Sequence, residues 1–169
     1  MTVAHRIGVM DNGRLEQVAT PRELYEAPNS RWIAEFVGDV NMFEGQVGAR
    51  EANRLTVSTR DAGTIIVAEP RQPVTKTTVS VAIRPEKVKL SRRGPVSDAV
   101  NAQAINRLEG VVTDVSYLGG LTTYKVKLDT GAVLRSSMAN TTRLDRDAYH
   151  ASQRVVAWFT PDDCVVLEQ

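Results

Sequence analysis

The sequence predicts a mainly β protein: a small all-β barrel or sandwich of short antiparallel strands, preceded by one β-hairpin and two short helices. Two observations carry this. From Asn41 onward, apolar residues recur with period two in eight or more short runs separated by turn residues. The first forty residues follow a different pattern, with a hairpin signal and then two helix starts. Residues 1–40 and 41–169 are therefore read as two units.

The hairpin comes first. Arg6-Ile7-Gly8-Val9-Met10 and Arg14-Leu15-Glu16-Gln17-Val18 flank Asp11-Asn12-Gly13, and Asn-Gly suits a tight turn that needs φ > 0 at both central residues. Thr20-Pro21-Arg22-Glu23 has the spacing of a capping box, with proline at the first helical position. Leu24 and Tyr25 give that helix its apolar side, and Ala27-Pro28 ends it. A second helix follows Ser30, with Trp32, Ile33, Phe36 and Val37 expected on one stripe and Gly38 expected as a left-handed C-cap. Two such short helices need a larger body to cover them. Trp32, Phe36, Gly38, Asn41 and Phe43 are the residues expected to pack the first unit on the second.

The strands follow in order. Phe43, Gly45 and Val47 alternate with polar residues; Leu55 and Val57 follow, then Thr64 to Ala68. Val79, Val81 and Ile83 precede a stop at Arg84-Pro85. Val111 to Tyr117, Tyr124 to Leu128 and Ala132 to Ser137 form another group, with turns at Gly119-Gly120 and Asp129-Thr130-Gly131. Val155 to Phe159 and Cys164 to Leu167 close the chain. Ser91 to Asn106 reads as a mobile loop, and Asn140 to Ser152 as a polar stretch with room for one helical turn.

Composition narrows the chemistry. At 169 residues a soluble fold buries roughly 70% of its unfolded surface, enough for a core without staples. The net charge of +1 argues against a phosphate-neutralising role, and the Arg92-Arg93 doublet reads as a solvated loop. One cysteine, Cys164, excludes an internal disulfide and reads as a small hydrophobe. No run of about 18 apolar residues is present, and the N-terminus lacks a signal-peptide order, so a cytosolic protein is expected. His5 and His150 share no metal-ligand spacing with Cys164, Asp162-Asp163 reads as a turn cap, and no phosphate-binding glycine loop occurs. Neither catalysis nor a bound cofactor or metal is expected of this stretch.

The run MTVAHRIGVMDNGRLEQVATPRELYEAPNSRWIAEFVGDVNMF resembles the end of the nucleotide-binding domain in ABC importer ATPases of the sugar, polyamine and iron class. Thr20, Pro21, Glu23, Leu24, Tyr25, Pro28, Phe36, Val37, Gly38 and Asn41 carry the match. Further on, VAIRPEKVKLS, YLGGLTTYKVKLDTG and WFTPDDCVVL resemble the family's C-terminal TOBE domain, an OB-fold-like β-barrel, and look most like spermidine/putrescine importers. The resemblance implies that residues 1–40 are the tail of the nucleotide-binding domain and 41–169 the regulatory barrel. The family's ATP-hydrolysing motifs lie upstream of the position matched by Met1, so ATP and Mg belong to the parent subunit and the chain is expected to be its C-terminal piece.

The function so implied is a dimerisation and regulatory domain, acting as hinge for ATP-driven closure of a homodimer. Membrane-spanning permease subunits would bind through the missing ATPase part, placing the whole at the inner face of the plasma membrane without insertion. A second reading is a sensor of the solute or of an oxyanion. It would use Arg84 and Glu86 with the turn at Tyr117, Gly119 and Gly120, where backbone N–H groups and an arginine would converge. Against it stands a structural ion pair for Arg84 and a plain turn for the glycines. Nucleic acid is not expected, since aromatics make up 5% of the chain and Lys125 and Lys127 make a thin groove.

Overall fold

The Asn-Gly turn closes the hairpin as expected: β1 (Ile7–Asp11) and β2 (Arg14–Ala19) pair antiparallel, with Asn12 at φ 45° and Gly13 at φ 79°. The computed structural model describes residues 4–70, 73–92, 105–141 and 148–168. The centres of the expected loop (93–104) and of the expected polar turn (142–147) lie outside the described residues. Thr20 caps α1 (Pro21–Glu26) through the full capping box, and Ser30 caps α2 (Arg31–Val37) by accepting from the Ile33 N–H. Gln17 ties the hairpin to the loop between the helices, donating to Ala27 O and accepting from Asn29 N.

Ten further strands make two five-stranded antiparallel sheets. The first group is β3 (Asn41–Glu51), β4 (Arg54–Thr59), β5 (Gly63–Ala68), β6 (Thr78–Ile83), a 3-10 turn at Pro85–Lys87 and β7 (Lys89–Ser91). The second is β8 (Asn106–Tyr117), β9 (Leu121–Leu128), β10 (Val133–Ala139), β11 (Arg154–Phe159), a 3-10 turn at Pro161–Asp163 and β12 (Cys164–Glu168). The sheet orders are β12-β6-β3-β4-β5 and β7-β11-β8-β9-β10. The two groups are two copies of one plan, and each lends its last strand to the other's sheet.

The copies begin alike. Asn41-Met42-Phe43-Glu44-Gly45-Gln46-Val47 and Asn106-Arg107-Leu108-Glu109-Gly110-Val111-Val112 share the pattern N-x-[FL]-E-G-x-V, and its asparagine does the same work in both. The Asn41 amide accepts from the Arg135 N–H at 2.7 Å and donates to Arg135 O at 2.8 Å. The Asn106 amide accepts from Ile66 N–H at 2.8 Å and donates to Ile66 O at 2.7 Å. A primary amide has the donor and acceptor of a peptide unit, so each buried asparagine stands in for one residue of a neighbouring strand. Each one caps an edge strand, β10 or β5, of the opposite sheet, where backbone groups would otherwise lack partners.

One core lies between the sheets, with Phe43, Leu55, Val57, Ile65, Val81 and Ile83 facing Val112, Tyr124, Val126, Leu134, Val155 and Phe159. Alternation along each strand puts these residues inside, because successive side chains point to opposite faces. Cys164 packs against this core as a small apolar side chain, and burial, reinforced by Asp163 and Asp162, pushes its thiol pKa far up. Of the Asp162-Asp163 pair it is Asp163 that caps the turn, accepting from the N–H and hydroxyl of Thr160.

Asn106→Ala is expected to cost about 1–3 kcal/mol, since it leaves the Ile66 N–H and C=O unpaired at a buried edge. The urea midpoint should fall at constant m-value, with faster amide exchange at Ile66. Unchanged protection there would show that the side chain does not cap β5.

Candidate functional site

Arg84 sits at the end of β6, just before its 3-10 turn, and is only 6% exposed. A buried guanidinium needs acceptors for its fixed fork of donors. It finds them in backbone carbonyls of the helical unit: Nη1 donates to Ala34 O (2.9 Å), Gly38 O (3.0 Å) and Asp39 O (3.1 Å), and Nη2 to Tyr25 O (3.1 Å). Three of these lie in the last turn of α2 and just beyond it. There, helix carbonyls lack intrahelical partners and the macrodipole favours a cation.

The guanidinium also lies over the Tyr25 ring, 4.1 Å from its centroid. The Tyr25 hydroxyl donates to Glu86 at 2.7 Å. Burial pushes the Tyr25 pKa up to about 12, the Glu86 hydrogen bond adding to the effect and Arg84 opposing it. Gly38 completes the packing. It is extended (φ 165°) rather than left-handed, a conformation any residue adopts. Its need is space, because a Cβ there would lie 3.2 Å from the Tyr25 ring.

Around this clamp α2 faces two ways. Ile33 and Val37 pack with Val9, Ala19 and Leu24 of the hairpin and α1, whereas Ala34 packs with Val40, Ala82 and Leu167 on the outer face of the first sheet. Asp39 pairs with Arg135 at 2.9 Å, adding a tie to β10. The cavity here measures about 30 Å³ and is lined by Tyr25, Pro28, Arg84, Lys87 and Asp163 among others. That volume suits water rather than a solute.

Of the residues expected to pack the two units, Gly38 lies at the junction, whereas the Asn41 amide is bonded to Arg135 of β10 within the barrel and Phe43 lies in the barrel core. The expected α2 stripe is split. Ile33 and Val37 turn inward, while Trp32 and Phe36 stack on each other 5.2 Å apart on the exposed side, Phe36 being 66% exposed.

The residues of the expected sensor site divide as well. Arg84 and Glu86 are engaged with Tyr25 and the helices, as above. Tyr117, Gly119 and Gly120 belong to the β8–β9 turn, where the Leu118 N–H donates to Leu121 O, Gly120 N–H to Leu118 O, and the Asn140 amide to Gly119 O. Gly119, at φ 79°, is where that turn requires glycine. The structure describes no contact between these two groups. Reading the residues one at a time missed Tyr25 and Asn106 as partners; the repeated N-x-[FL]-E-G-x-V pattern was the available signal for Asn106.

Among the described residues no helix is long and apolar enough to cross a membrane, and no group of histidine, cysteine and carboxylate side chains could hold a metal ion.

The barrel has relatives. The chain is 34% identical over its full length to the spermidine/putrescine import ATP-binding protein PotA of Trichormus variabilis, of which it covers 42%. It is 33% identical over 99% of its length to the putrescine transport ATP-binding protein PotG of Escherichia coli K12, of which it covers 43%. The chain thus spans less than half the length of these curated relatives. Among solved structures, the cytoplasmic molybdate-binding protein ModG with molybdate bound superposes with a TM-score of 0.56. That match covers 75% of this chain and 94% of ModG at 17% identity, a likeness of fold alone. The family model of the TOBE domain matches residues 81–167, the segment running from β6 through the second copy of the repeat to β12, and the chain belongs to the TOBE domain family.

Proposed function

We propose that this chain is the C-terminal part of the ATP-binding subunit of an ABC importer for polyamines. Residues 1–40 would be the tail of the nucleotide-binding domain and 41–169 the regulatory barrel. In this reading the barrels of two subunits stay in contact and act as the hinge about which the ATPase halves close and reopen. A persistent contact makes re-closure intramolecular, at an effective concentration set by the tether. ATP and Mg would be bound by the remainder of the subunit, which would also meet the permease subunits at the inner membrane face. The naming of the relatives supports the transport role. The single structural observation behind the hinge is the Arg84 clamp, because a hinge transmits force only if barrel and helical unit move together.

Light scattering over a concentration series tests the association. The hinge reading expects a mass of twice the 18.6 kDa chain at the upper end of the series. A mass of one chain throughout, up to about 1 mM, would overturn it, since Kd values near 1 mM correspond to only about 4 kcal/mol of association.

The fold likeness to ModG favours one further reading, a barrel that binds a small anion or the transported solute. A thermal-shift panel of molybdate, sulfate, putrescine and spermidine decides it. A ligand at 100 times its Kd contributes about 2.7 kcal/mol, and no shift with any of the four would remove this reading.

A further inference from the structure

The two copies of the repeat can be compared place by place, which separates what the plan requires from what one copy adds. On the outer face of the first sheet, Ala82 of β6 pairs with Met42 on one side and Val165 on the other. This apolar row is where the helical unit sits, with Ala34 and Val40 packed on it. In the second copy the same two pairings join Trp158 of β11 to Arg107 and to Lys89. The counterpart of the helix-docking row is therefore an indole between two cations. Lys89 and Arg107 are exposed and Trp158 is partly so. Neighbouring strands lie about 4.8 Å apart, which sets the two cations roughly 10 Å apart across the indole. The Lys89 ammonium lies 4.8 Å from the centroid of the Trp158 ring. Among the described residues neither cation has a carboxylate partner: Glu109, two residues along the same face of β8, is taken by Arg154, which also holds Asp129. On the same sheet, by contrast, Lys125 and Arg135 are matched by Asp114 and Asp39.

We propose that the Lys89, Trp158 and Arg107 row is a docking surface for an acidic segment of another protein. That segment lays an apolar side chain on the indole and sets carboxylates against the two cations. The inference does not depend on the hinge reading above. Charge complementarity selects the sign of the partner, because two unmatched cations flank the one apolar group of the row. Position selects its form. The equivalent row of the first copy seats a helix, so this part of the plan fits the side of a polypeptide segment. A nucleic acid fits less well. Glu109 and Asp129 beside the row oppose a continuous phosphate track, and a single ring stacks a single base. Thr160 stands where the first copy has Arg84, each directly following the residue paired with its asparagine. The second copy therefore lacks the clamp that holds α1 and α2 in place, and a segment seated there binds reversibly.

The probe is a fluorescein-labelled, helix-forming peptide with Glu and Leu on one face, titrated against the whole chain. Anisotropy reads binding, and the Trp158 indole N–H signal in NMR reads its place. The same peptide with Gln for each Glu is the neutral control, and a single-stranded DNA oligonucleotide is the alternative polyanion. The Glu peptide should bind and shift the Trp158 signal while leaving that of Trp32 in place, and the Gln peptide should bind about tenfold more weakly. Lys89→Glu/Arg107→Glu should weaken the Glu peptide about tenfold or more, since two attractions become repulsions. Arg22→Glu/Arg60→Glu, exposed elsewhere and equal in charge change, should weaken it about twofold or less, because distant charges are screened. The peptide comparison is made on the wild type, so it decides the matter even where a variant fails to fold. Absence of binding up to about 1 mM peptide, an unmoved Trp158 signal, or equal losses in the two double variants would overturn the proposal. Tighter binding of the oligonucleotide than of the Glu peptide would overturn the assignment to a polypeptide.

Discussion

Gly110→Ala is expected to cost about 3 kcal/mol, at the upper end for overpacking by one methyl group. A Cβ built on Gly110 would lie 2.5 Å from Lys127 O, 2.8 Å from a Val126 methyl and 3.0 Å from Leu128 Cα. Two of those three atoms are backbone atoms of β9, the strand paired with β8, so they cannot swing aside without opening the ladder. Gly45 holds the matching place in the first copy, where a Cβ would lie 2.6 Å from Ser58 O on β4, and Gly45→Ala should cost a similar amount. Gly120→Ala is the control, because nothing lies within 4 Å of its Cβ position and such surface changes usually fall within about 0.5 kcal/mol. Urea unfolding of the three variants measures this. Equal midpoints for Gly110→Ala and Gly120→Ala would refute the account of the N-x-[FL]-E-G-x-V glycine.

Arg84→Ala is expected to destabilise the attachment of α1 and α2 by about 3 kcal/mol. It removes a charged donor from four carbonyls in a nearly closed site, and buried hydrogen bonds to charged groups contribute about 1.5–3 kcal/mol. Lysine should not restore the loss. It has one ammonium centre where arginine has a planar fork, and it cannot both span Ala34 O and Tyr25 O and lie flat on the Tyr25 ring. Limited proteolysis between Ala27 and Asp39 reads the effect directly, since cleavage there needs local release of the helices. Wild-type resistance in Arg84→Lys would show that charge alone suffices.

Much of this was legible in the residues. The hairpin, both helix starts and most strands followed from turn chemistry and period, because Asn-Gly, the Thr20–Glu23 box and alternating apolar runs act locally. What local reasoning missed was long-range. α2 has apolar side chains on more than one face, and only its neighbours decide that Ile33 and Ala34 are covered while Trp32 and Phe36 are not. Gly38 looks like a helix C-cap in sequence, yet its use is to let a tyrosine ring approach. Arg84 was picked out beside a proline turn, but its partners are carbonyls 45 to 59 residues away, and carbonyls carry no side-chain signature. The strand exchange between the two copies could have been sought from their matching openings, though the pairing of β6 with β12 and of β11 with β7 is a fact of topology.

The central claim is that the helical unit and the barrel form one body, held by Arg84. Amide exchange across α2, in the wild type and in Arg84→Ala under native conditions, tests it most directly. The account predicts that wild-type Ala34, Glu35 and Phe36 amides are protected to a similar degree as those of β6. In Arg84→Ala they should lose about two orders of magnitude of protection, as a loss of about 3 kcal/mol implies, while Val112 and Val126 in the barrel keep theirs. Protection in α2 that does not change in Arg84→Ala, or that falls equally in every strand, would contradict it.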